Sequence, residues 1–300
     1  MHARASYQGW LLVVGFLAVA AITGLAYAKP NLLTHKSVEW TQIWSDNFTG
    51  PAGQGINTGD WRYQTGYGVF GNGEVEDMTR SAGNVHLDGH GELDITALRQ
   101  GSTWTSGRVQ TRKAFTPPAG GELRVVAVLK QPEVPDALGY WPAFWMLGQG
   151  TWPAHGEMDI LEDVNGLSQH SGALHCGNLT QVNADGTFGP CHEHNGRSSG
   201  MLPCPGCQAG YHSYSVIVDR RNPANEQIRW YLDRREFFHV TERQVGAAAW
   251  NEAVNHGYQI IFDLAIGGSF PNERCHCVTP LSQTTPGGTL RIRSIDVFQN

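Results

Sequence analysis

From residue 85 onward, short apolar segments recur between clusters of Gly, Pro and Asn, and this punctuation constrains the fold more than any other feature of the chain. The segments run over 85–87, 92–97, 107–112, 123–129, 143–147, 157–161, 212–219, 228–232, 258–265 and 290–298, each rich in Val, Ile, Leu, Tyr or Trp. Pieces of strand length with turn residues between them build a β-sandwich or barrel, whereas an α/β protein needs longer stretches of helical period. Only 245–255 reads as a helix, and it is short. The 210–219 stretch alternates well enough for a half-buried strand, with 228–235 as its partner and Asp233 at a turn. There is no internal repeat and no low-complexity linker.

The first residues speak to compartment. Arg4 precedes a run without charge from Trp10 to Leu25, and Ala26-Tyr27-Ala28 places small residues where a signal peptidase reads them. The run is shorter than the ~20 residues that span a bilayer. The expectation is a signal peptide over 1–28, one domain over 29–300, and no membrane contact after cleavage. A formal charge of −6 without a basic run excludes nucleic acid as a partner. The chain holds 10 Trp, flat apolar faces that suit either a core or sugar rings.

All 6 cysteines lie in the C-terminal half. In an exported chain they read as disulfides. Cys176 with Cys191, and Cys204 with Cys207, are nearest partners in sequence, which leaves Cys275 and Cys277 with no partner but each other. The Cys204-Pro-Gly-Cys207 and Cys275-His-Cys277 pairs could also be halves of a zinc knuckle, a reading the export signal disfavours. Asn47-Phe-Thr49 and Asn178-Leu-Thr180 are glycosylation acceptors.

The chemistry is concentrated in Trp141-Pro-Ala-Phe-Trp-Met-Leu147 and, after a Gly/Pro-rich turn, His155-Gly-Glu-Met-Asp-Ile-Leu-Glu162. On a strand, Glu157 and Asp159 share a face while Met158 and Ile160 take the other. Plain alternation would send Glu162 into the core, where a charge is costly, so one bulged residue at Ile160 or Leu161 is expected. Across such a bulge, two Glu side chains leaning together can reach the ~5–5.5 Å separation of retaining glycosidases. Neighbouring carboxylates repel, so one should keep its proton near neutral pH. A solvated acidic face would explain the alternation but not the Trp-rich segment beside it, and calcium prefers carboxylates converging from a loop.

Gly156-Glu-Met-Asp-Ile-Leu-Glu162 resembles the Glu-x-Asp-x-x-Glu signature of glycoside hydrolase family 16, in the longer form of laminarinase-like endo-β-1,3-glucanases. The resemblance extends over nearly the whole mature chain. Its other landmarks are Trp44-Ser-Asp-Asn-Phe-Thr-Gly50, Thr105-Ser-Gly-Arg-Val-Gln-Thr111, Gly139-Tyr-Trp-Pro-Ala-Phe-Trp-Met-Leu147, Ile260-Ile-Phe-Asp-Leu-Ala-Ile-Gly-Gly268 and Ile295-Asp-Val-Phe298. It implies a concanavalin A-like jelly roll, a β-sandwich of two curved antiparallel sheets with a sugar cleft across the concave face. By the same resemblance Glu157 is the nucleophile, Asp159 its helper and Glu162 the acid/base. Trp141 and Trp145, of equal strand parity, and Trp152 in the turn would face sugar rings, and His175 would contact substrate near the cleavage point.

The implied function is a secreted, monomeric, retaining endo-hydrolase of β-1,3-glucan, with mixed 1,3-1,4 linkages as a second substrate and no cofactor in catalysis. The alternatives are a hydrolase of another β-linked polymer such as β-1,3-galactan, and a non-catalytic glucan-binding protein. Family members also carry a structural calcium, here at Asp296 with backbone carbonyls, although Asn47 lacks the usual acidic neighbour. Asp263 stands where the family often has Asn. The insert from Cys176 to Cys207 resembles that of a cysteine-rich branch.

Overall fold

The computed structural model describes residues 39–300 apart from Val69. The expected signal peptide lies outside the described residues. Two large antiparallel sheets face each other. The first runs Arg235–Thr241, Gln227–Leu232, His212–Asp219, Glu122–Lys130, Thr289–Gln299, Leu93–Thr96, Val85–Leu87, with Thr41–Asp46 also on Thr289–Gln299. The second runs Arg197–Ser198, Gln169–His175, Glu157–Glu162, Tyr140–Gly148, Tyr258–Ile266, Arg108–Thr111, Trp61–Tyr63, with Leu202–Pro203 also on Gln169–His175. This is the sandwich expected from the strand-length punctuation.

Alternation decides which face of each strand is dry. In Glu122–Lys130, Leu123, Val125, Ala127 and Leu129 are fully buried, and the intervening residues are not. Their counterparts across the sandwich are Phe144, Met146, Met158, Leu174, Phe262 and Leu264, all shielded from solvent. Burying each such side chain is worth ~1.5–3 kcal/mol. Tyr258–Ile266 is buried along its whole length because other side chains cover its second face too.

Three features depart from the sequence reading. The helix expected over 245–255 is two helices, Glu242–Val245 and Ala247–Val254, broken where Gly246 takes φ 90°. A further helix, Ser269–Cys275, forms where the run was too short, and too interrupted by Pro271, to show a period. A small sheet of Gly66–Tyr67, Glu76–Met78, Thr103–Ser106 and Leu98–Gln100 adds a parallel pair, Glu76–Met78 on Thr103–Ser106. Its strands are two to four residues long, below the length at which alternation is readable.

Candidate active site

The acidic strand Glu157–Glu162 lies between Tyr140–Gly148 and Gln169–His175. Toward the first neighbour, Asp159 pairs with Trp145 and Leu161 with Phe144, so Ile160 is the extra residue. Toward the second, Asp159 pairs with Ala173 and Glu162 with Ser171, and neither Ile160 nor Leu161 has a partner. Both of these side chains are fully buried. The bulge thus puts two successive apolar residues inside and returns Glu162 to the face of Glu157 and Asp159. The Asp159 carbonyl is taken by the indole N–H of buried Trp230, at 2.7 Å, reaching over from the opposite sheet. Gly172 gives that indole room, since a Cβ there would sit 2.6 Å from Trp230 Cδ1.

Glu157, Asp159 and Glu162 open into one cleft of ≈ 470 Å³, which Trp141, Trp145 and Trp152 also line. That volume is within the ~300–1,000 Å³ of ordinary ligand sites. The indoles are half-buried, and two are tethered by their N–H groups. Trp141 Nε1 donates to Glu162 Oε1 at 3.0 Å, and Trp145 Nε1 to Asp263 Oδ1 at 2.6 Å. Trp152 stacks on His194 with ring centres 5.9 Å apart and stands 5.6 Å from the His175 ring. His175 itself is buried, with Nε2 3.2 Å from Asp159 Oδ2 and 3.8 Å from Glu157 Oε1, and Nδ1 2.6 Å from Glu193 Oε2.

These neighbours set the charges. Burial, then the Asp159 charge, pushes Glu157 up to about 8, opposed by His175 and Arg108. Burial and Asp159 likewise push Glu162 up to about 8, opposed by the Trp141 hydrogen bond and His175. Burial alone would lower the His175 pKa, but its close contact with Asp159 and its bond to Glu193, with the Asp159 and Glu157 charges, hold it well above the ordinary value. Burial thus favours the protonated form of both glutamates, and the imidazole is held as a cation beside them. Double displacement needs one of the pair ionised and the other protonated, and the Arg108 charge, which acts on Glu157, favours Glu157 as the one that gives up its proton.

The sequence reading missed two contributors, Arg108 and Glu193, and flagged Asp263, which lines the cleft. Arg108 lies 4.0 Å over the Phe70 ring and 4.7 Å over the Trp145 ring, walling the cleft beside Asp263. Burial raises Asp263 to about 6 against the pull of Arg108. Arg108 was readable in principle: it begins a strand on the same sheet and pairs with Asp263. Glu193 had no such signal, since it lies in the cysteine-rich insert.

The cysteines pair as Cys176–Cys191, Cys204–Cys207 and Cys275–Cys277, so none is left for zinc. Asp296 sits on Thr289–Gln299, where its Oδ1 accepts from Gln42 Nε2 at 2.6 Å and the Arg124 charge acts on it. Asp46 is likewise committed, to Phe48 N and Trp61 Nε1. A lone carboxylate already bonded to an amide and facing a guanidinium does not fit calcium, which gathers several oxygens. Glu157, Asp159 and His175 bring ligand atoms within 4.8 Å of one another, but a metal needs a neutral imidazole nitrogen, and both of His175's face carboxylates.

A family model described as an XgeA-like, catalytic GH16 domain matches residues 82–209. The glucan endo-1,3-beta-glucosidase A1 of Niallia circulans is 28% identical over 284 residues, covering 86% of this chain and 37% of that protein. The beta-glucanase of Rhodothermus marinus is 26% identical over 259 residues, 80% of this chain and 80% of that one. The crystal structure of the endo-1,3-beta-glucanase from Streptomyces sioyaensis is similar with a TM-score of 0.80 at 40% identity, covering 88% of this chain and 97% of that one. The chain thus spans about a third of the length of the Niallia circulans protein, and nearly all of the Streptomyces sioyaensis structure.

Proposed function

Since the chain belongs to glycoside hydrolase family 16, we propose that residues 29–300 form a secreted, retaining endo-hydrolase of β-1,3-glucan. The observation that carries this is the bulged strand: it delivers Glu157, Asp159 and Glu162 to one Trp-lined cleft. In this reading Glu157 attacks the anomeric carbon while Glu162 gives its proton to the departing glycosidic oxygen. A covalent glycosyl–enzyme ester results. Glu162, now ionised, takes a proton from water, whose oxygen attacks the same carbon and releases Glu157. His175 and Arg108 favour the ionised form of Glu157, and Trp141 and Trp145 offer ring faces to the sugar. The β-1,3-glucan assignment draws on the names of the relatives. Three disulfides suit export, and among the described residues no helix is long and apolar enough to cross a membrane.

Digestion of laminarin, lichenan, β-1,3-galactan and agarose, with linkage analysis of the products, tests the substrate. The expected result is internal cleavage of laminarin, with weaker cleavage of lichenan. Preferential cleavage of galactan or agarose would replace the glucan reading. Glu162→Gln should lower kcat by about 10²–10⁴-fold, the size of a general acid/base contribution, and Glu157→Gln, which removes the nucleophile, by at least as much, while the circular dichroism spectrum stays native. Near wild-type turnover in either variant would end the assignment of roles.

A further inference from the structure

Behind the His175 ring, on the side away from the proposed nucleophile, stands a carboxylate the hydrolytic scheme does not use. Glu193 follows the disulfide-closed segment between Cys176 and Cys191 by two residues, and its side chain is wholly shielded from solvent. One oxygen accepts from the Cys176 backbone N–H at 2.8 Å, and the other lies 2.6 Å from His175 Nδ1. The Glu193 backbone exchanges N–H···O bonds of 2.8 and 3.0 Å with Phe188, so main chain and side chain are both fixed. Across the ring, Nε2 meets Asp159 and Glu157.

Carboxylates lie close to both ring nitrogens, which favours the imidazolium, the form that carries an N–H on each. A further demand falls on Glu193. It must accept from two donors at once, the ring and the Cys176 N–H. A carboxylate does this with its two oxygens, whereas an amide would turn an NH₂ group toward one of them. We propose that Glu193, on the hydrolase reading above, is a positioning residue: through His175 it fixes a positive charge, with Nε2 close to Asp159 and Glu157, beside the nucleophile. The insert that carries it is then part of the reaction machinery, and the Cys176–Cys191 disulfide holds the loop that aims it.

The charged groups around the ring are Asp159 and Glu157 on the acidic strand and Glu193 on the insert, with Glu162 farther along the same strand. Arg108 acts on Glu157 from across the sheet. Glu193 also repels Glu157 directly, but the imidazolium stands between them and its pull is the larger. Losing the cation therefore makes Glu157 harder to ionise.

Glu193→Gln, the conservative Glu193→Asp and Glu157→Gln are assayed on laminarin across acid and alkaline pH, with His175 followed by ¹⁵N NMR. For Glu193→Gln the expected result is a kcat lower by roughly tenfold, KM within about twofold, and an acid limb of kcat/KM raised by about one pH unit. The His175 ring should titrate at lower pH than in the wild type, and Glu193→Asp should restore part of the wild-type profile. A pH profile and a His175 titration superimposable on the wild type would overturn the proposal, because lost packing alone moves neither. If Glu193→Gln does not fold, the wild-type ring decides: charge retained well above the ordinary value of ~6.5 supports the proposal, and titration near that value overturns it. Glu157→Gln separates the two readings, since its full activity would remove the hydrolase mechanism itself.

Discussion

Trp141 and Asp159 pull the Glu162 proton in opposite directions. The indole N–H stabilises the ionised carboxylate, and the neighbouring Asp159 charge opposes it. Trp141→Phe keeps an aromatic ring but removes the donor, so the alkaline limb of kcat/KM should move up. Asp159→Asn removes the like charge, and the same limb should move down. His175 would lose an anionic partner in that variant, but Asp159 acts on Glu162 more strongly than His175 does, so the downward shift prevails. Each shift is on the order of one pH unit or less, read from pH profiles of the purified variants. Displacement of the alkaline limb in the same direction in the two variants would refute the account. At this scale the sequence was legible where spacing carries meaning: Glu157, Asp159, Trp141 and Trp145 are placed by strand parity, and Glu162 by the bulge that breaks it. It was silent on Glu193, which reaches the cleft through a loop whose path no periodicity encodes.

The bulge is the element on which the site depends, and it could be read from a conflict. Five residues separate two carboxylates that must share a face, and alternation alone forbids it. Ile160 is the residue the ladder skips. Its deletion should give an unbroken strand, with Leu161 inward and Glu162 still toward the cleft. The cost is a buried isoleucine, about 2–5 kcal/mol, which a domain with ~5–15 kcal/mol of stability can survive. The expected protein is folded, less stable, and slower on laminarin than the wild type, yet well above Glu157→Gln. Activity as low as that variant in a folded protein would mean that the bulge geometry itself, and not the shared face, is required. The Ser269–Cys275 helix offered no comparable conflict. It begins at Gly268 with φ 99° and holds Phe270, whose ring meets Trp141 edge-on at 5.7 Å, and nothing in so short a run foretold either.

Across the whole molecule, several buried acids have raised pKa values, and this sets how stability responds to pH. Burial is the leading cause in each case, and lifts Glu76, Glu157 and Glu162 to about 8, Asp163 to about 7 and Asp263 to about 6. In the unfolded chain these groups ionise near 4.5 or 3.8. Between those values and about 8 the folded state holds more protons than the unfolded one, so stability must fall as pH rises. His175 adds to the trend, because its contribution is present below its unfolded value of 6.5 and lost as pH climbs through its raised folded value. His170 acts the other way: burial lowers it to about 4, so the fold loses stability as pH drops from 6.5 toward 4. Asp88 and Asp233, whose hydrogen bonds outweigh their burial and lower their pKa, add to that acid-side loss. The thermal midpoint should therefore peak at mildly acid pH, about 5, and decline toward 8. Glu76 isolates the effect, since it lies outside the proposed catalytic set. Its Oε2 accepts from Ile266 N at 2.8 Å and its Oε1 has no partner among the described residues. Glu76→Gln keeps the bond to Ile266 and cannot ionise. Its midpoint should gain on the wild type steadily between pH 5 and 8, and a difference that stays constant over that range would show that Glu76 does not titrate as its burial demands.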